Sequence, residues 1–132
     1  MEHGIDCLKR WCGKKPVAHR AGGYGLNNDT VTALRATNIP IDSSMYYGHP
    51  NSKLTWSMNQ IVSQQGVVEV PITGFSRQQV ITLGPARWIC KDHFRRTGLD
   101  GCSLDDLLWF VAEAKASDLR VLNLIMHSLI IA

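Results

Sequence analysis

Two side chains stand where this sequence could do chemistry. Arg20 lies in HRAGGYG (19–25), between a histidine and a run of glycines, and His127 lies in LNLIMHS (122–128) near the end of the chain. A guanidinium offers a fixed fork of donors that suits a carboxylate. An imidazole can take or give a proton near neutral pH. By residue type alone, Arg20 fits a surface ion pair and His127 a satisfied core histidine at a strand end. Cys90 and His93 have ligand-like spacing, with Cys102 following, but one Cys-x-x-His without a second pair is a weak zinc signal. Thiols buried beside Trp88 and Ile89 are the expectation there. Tyr46, Tyr47 and Trp56 carry flat apolar ring faces, suited equally to stacking on sugar rings and to packing a long loop onto its domain.

The elements that must position these groups follow from periodicity. Ile5, Leu8 and Cys12 recur at helical spacing ahead of Gly13 and Pro16, which predicts a short amphipathic helix over 3–12. A strand over 17–21 runs into the glycines of 22–25, where positive φ and close backbone approach to a ligand are open. Asn28 or Asp29 can cap a helix running to about Thr37, with Asn38 at its C-terminal end. Strands are predicted at 39–44, at 67–75 with Pro71 at an edge or bulge, and at 80–83. The polar, aromatic stretch 45–65 reads as a long functional loop. Ser103 and Asp106 form a capping-box-like start, after which Leu104, Leu107, Leu108, Val111 and Ala114 make one apolar stripe. The apolar run 120–131 suits a strand buried on both faces of a parallel sheet. The alternation predicts an α/β fold with strands 17–21, 39–44, 67–73 and 120–128 in one sheet. Arg20 and His127 then share its carboxyl edge, with side chains within about 10 Å.

Composition narrows the function classes. With 45% hydrophobic residues the chain of 132 can bury the core of one globular domain. Charged residues make up 19%, the formal net charge is +3, and Lys9, Arg10, Lys14 and Lys15 gather at a helix end, so nucleic acid is not implied as a partner. Four irregularly placed cysteines do not make a disulfide scaffold, and reduced thiols are expected. No stretch reaches the roughly 20 apolar residues of a membrane span. No membrane partner is expected, and the chain as given reads as soluble and cytoplasmic.

HRAGGYG (19–25), NNDTVTALRATNIPIDSS (27–44), VVEVPITGF (67–75) and LNLIMHS (122–128) together resemble, in order and spacing, one branch of the polysaccharide deacetylase family with its NodB-homology domain. The resemblance spans nearly the whole chain. It implies a partial (β/α) barrel of that type, residues 1–132 forming its C-terminal half. A complete barrel takes roughly 200 residues or more. The implied activity is metal-dependent hydrolysis of N- or O-acetyl groups on carbohydrate. In such enzymes a divalent, zinc-like metal is held by an aspartate and two histidines of an HxxxH motif. By position, Arg20 matches the arginine that orients the catalytic aspartate, His127 the general acid of the LxH motif, and Asp42 the aspartate supporting the catalytic histidine. Tyr24 lies four residues after Arg20 where three is commoner, so either the Gly23 or the Tyr24 amide is the implied oxyanion donor. Ser43 and Ser44 stand where a tryptophan usually accompanies the aspartate. Substrate contacts are implied for Gly23, Tyr24, Tyr46, Tyr47 and Trp56, with an acetylated glycan as partner. The paired aspartates and the HxxxH are absent from the sequence, so no metal is expected on this chain alone, which reads as inactive without its N-terminal half. The alternative is a non-catalytic glycan-binding or interaction module derived from the same fold.

Overall fold

A computed structural model of the chain describes residues 1–84, 86–100 and 102–127, and of 78–83, 86–94 and 96 the backbone alone. The fold is mixed α/β, in two compact units, Met1–Ile72 and Thr73–Ala132, each with its own core.

The first unit opens with α1 (Glu2–Cys12), closed by Gly13 at φ 67, whose amide donates to the Lys9 carbonyl. Only glycine takes that left-handed cap without strain. β1 (Ala18–His19) leads through a 3-10 turn at Gly22–Tyr24 into α2 (Asn28–Ala36) and β2 (Ile41–Asp42). β3 (Val62–Gln64) and β4 (Val67–Glu69) form a hairpin whose turn, Gln65 and Gly66, has positive φ at both positions, the twist that two-residue hairpins favour. The sheet order is β1-β2-β4-β3, parallel from β1 to β2 and from β2 to β4, and antiparallel between β3 and β4. Val31 and Leu34 of α2 pack with Leu26, Ile39, Met45 and Val67 in the core. The parallel pair flanking α2 is the arrangement its sequence predicts. The cap is Asn27, not Asn28 or Asp29: its side chain accepts from the Thr30 amide at 2.8 Å.

The second unit begins with a long antiparallel hairpin, β5 (Gly74–Leu83) with β6 (Ala86–Arg96), bulged between Gln78 and Gln79. The expected strand 67–75 is thus divided, because β4 ends at Glu69 and Gly74 opens β5. The expected strand 80–83 is the end of β5. Helix α3 (Leu104–Ala116) starts with a full capping box, Ser103 and Asp106 each satisfying the other's amide. Its inner face is Leu107, Phe110 and Ala114, packed with Phe75, Leu119 and Leu122, while Leu104, Leu108 and Val111 stay exposed. The predicted stripe is corrected in this respect: the Phe75–Phe110 stack, 6.3 Å between centroids, sets which side faces inward.

Residues 120–127 do not form a strand of the sheet. They are irregular, with one isolated bridge, Ile125 to Gly98. The physical reason lies in two threonines. The buried Thr97 hydroxyl donates to the Thr73 and Asn123 carbonyls at 2.9 and 2.7 Å, and the Thr73 hydroxyl accepts from the Asn123 amide at 2.8 Å. The Asn123 amide is thereby taken by a side chain, and among the described residues backbone pairing is confined to the Asn123 carbonyl with the Thr73 amide and to Ile125 with Thr97 and Leu99.

Candidate functional site

The site grows from the carboxyl ends of the parallel strands in the first unit. β1 ends on His19 and β2 on Asp42, residues paired in register, and Asp42 is paired in turn with Glu69 on β4. Register therefore lines up one imidazole and two carboxyls across three strands. His19 Nδ1 lies 2.8 Å from Asp42 Oδ1, with the histidine part-exposed and the aspartate 1% exposed. The Ser44 hydroxyl donates to the same Asp42 oxygen at 2.7 Å and accepts from the Ala21 amide at 2.8 Å. Glu69 Oε1 accepts from the Met45 amide at 2.9 Å. The remaining oxygens, Asp42 Oδ2 and Glu69 Oε2, have no hydrogen-bond partner. Burial, joined by the adjacent Asp42 charge, pushes the Glu69 carboxyl up to about 8, against the Met45 and Ser44 amides that favour its ionised form. Glu69 is the group that keeps the proton.

Arg20 follows His19 and is held on β2's exit. Its Nε donates to the Ser43 carbonyl at 3.0 Å and its Nη2 to the Ser43 hydroxyl at 2.8 Å. Ser43 and Ser44 thus brace the arginine and the aspartate. In the turn that follows, Gly23 and Tyr24 both have φ 60, and the Asn51 side chain donates to the Gly23 carbonyl at 2.9 Å. The Tyr24 amide is engaged with the Ala21 carbonyl at 3.3 Å. Tyr24 meets Tyr46 and His49 edge-on at 5.0 Å each, and Tyr46 stacks on His49 at 5.3 Å. Tyr47 is exposed, whereas Trp56 packs against the core, so the packing role fits Trp56.

Within the first unit the imidazole partner of Asp42 is His19. His127 belongs to the second unit, where both its amide, at 3.1 Å, and its Nδ1 bond the Asp100 carboxylate. Cys102 is an unpaired thiol beside the second core, and the Cys90 and His93 side chains lie outside the described residues.

Sequence reasoning missed His19, Glu69, Asp100 and His49. Glu69 had left a signal: a carboxylate amid Val67, Val68 and Val70 is costly in a strand unless it is satisfied there. No family model, curated protein or solved structure matches the chain.

Proposed function

We propose that the chain is the C-terminal, substrate-facing half of a polysaccharide deacetylase of the NodB-homology type, a (β/α) barrel hydrolysing N- or O-acetyl groups on carbohydrate. One observation carries the reading. Arg20 is braced by two bonds to Ser43 at the carboxyl ends of two parallel strands, and the turn that follows leads into a cluster of aromatic rings. In this reading Arg20 orients a carboxylate contributed by the N-terminal half. Tyr24, Tyr46 and Tyr47 offer ring faces and hydroxyls to a glycan. His127, gripped at Nδ1 by Asp100, gives a proton to the leaving group.

This reaction class calls for a divalent, zinc-like metal, and the described donors do not fit one. Among the described residues no group of three or more histidines, cysteines or carboxylates could hold an ion. Asp42 is committed to His19 and Ser44, and Asp100 to His127. The metal ligands belong, in this reading, to the N-terminal half. A glycan-binding module is the second reading, favoured by a ring cluster that is complete within the first unit.

The test is acetate release from chitin oligomers. The 132-residue chain alone is expected to release none, with or without zinc. Fused to a half carrying paired aspartates and an HxxxH, it is expected to turn over, and His127→Ala then lowers kcat by roughly 10²–10⁴-fold. Oligomer binding that Tyr46→Ala abolishes, without turnover in the fusion, would support the module instead.

A further inference from the structure

The donors and acceptors around Asp42 run in one direction only. Ser44 accepts from the Ala21 amide, so its hydroxyl proton points to Asp42 Oδ1. Glu69 Oε1 is taken by the Met45 amide, and it offers nothing to Asp42 Oδ1. Asp42 Oδ1, which accepts from Ser44, is thus an acceptor toward the ring as well, and His19 Nδ1 must donate to it. A neutral imidazole carries one N–H, and the bond at one nitrogen sets the state of the other. The lone pair therefore stands on Nε2, across the ring from the buried carboxylate.

His19 also lines a groove of about 400 Å³ against α1, with Ile5, Leu8, Pro16, Ala18 and Ile39 among its walls. That volume is in the range of small-molecule sites, and His19 is the one titratable side chain among the lining residues. We propose that His19 is the proton acceptor of a second site, held by Asp42 in the Nδ1–H tautomer, and that the groove takes a small, mostly apolar molecule bearing one hydroxyl. The apolar walls take the body of the ligand, and its O–H donates to Nε2. Asp42 acts as a positioning residue. The proposal is independent of the glycan reading.

The tautomer is read directly from nitrogen-15 chemical shifts of the histidine ring in the labelled full chain. The expected result is Nδ1–H with a bare Nε2 in the neutral form. Binding is then followed with p-cresol and toluene as probes. p-Cresol is expected to shift His19 Nε2 together with the Ile5, Leu8 and Ile39 methyls, and to bind about tenfold more tightly than toluene. In His19→Gln the side-chain amide can still donate to Asp42 but offers no basic nitrogen. That variant is expected to fold and to lose the preference for p-cresol. An Nε2–H tautomer, equal binding of the two probes, or an undiminished preference in His19→Gln would each overturn the proposal.

Discussion

A carboxyl that holds its proton in the folded chain ties stability to pH in the sense opposite to most acidic side chains. Glu69 is raised by burial from 4.5 to about 8, so between those values the folded state binds a proton that the unfolded state has released. Its contribution is full below about 4.5 and is lost as pH rises toward about 8. Glu69→Gln keeps an acceptor for the Met45 amide but cannot ionise. Thermal melts are expected to show the parent losing stability across this window while the variant does not. At pH 8 the variant is expected to melt higher, by on the order of 5 °C. Asp42 and Arg20 were legible as site residues because they sit in a motif with a recognisable order. Glu69 and His19 were not, since their roles come from strand register, which pairs residues 19, 42 and 69, and register is not written in local spacing.

Among the elements, α3 shows most directly how a few side chains define a boundary. Ser103 caps it and Asp106 returns the bond, with Arg95 pairing Asp106 at 2.8 Å. Ser103→Ala is expected to cost about 1 kcal/mol in chemical denaturation, with no change in the slope. Ser103 holds the Asp106 carboxyl below its usual range, so this contribution is present at neutral pH and fades as pH falls through the acidic range. The three helices were legible because caps and helical spacing are local signals. The β1–α2–β2 unit followed from the same signals. The β5–β6 hairpin was not foreseen, because a bulge between Gln78 and Gln79 shifts the alternation that would mark it. The run at 120–127 misled in the other direction. Its apolar residues suit a buried strand, yet Thr73 and Thr97 bind its backbone through hydroxyls, and Val121, Leu124 and Met126 remain exposed.

At the scale of the whole molecule, apolar surface left in water is the dominant liability. Trp11 is 82% exposed, Leu104 70% and Leu108 59%, on helices whose other faces are packed or polar. Exposed apolar side chains on both units favour association. Sedimentation velocity is expected to show a weight-average coefficient that climbs with concentration, and Leu108→Lys is expected to flatten that dependence without lowering the melting temperature. A concentration-independent monomer in the parent would contradict this. No helix among the described residues is long and apolar enough to cross a membrane. The parallel register that sets Asp42 beside Glu69 has a further consequence, for sequence change over time. Each side chain answers to its own partners, Asp42 to His19 and Ser44 and Glu69 to the Met45 amide, so drift at either position is confined to residues that still accept from those donors. Divergent copies of this chain are expected to keep a hydrogen-bond acceptor at both positions, with the amide admissible at 69.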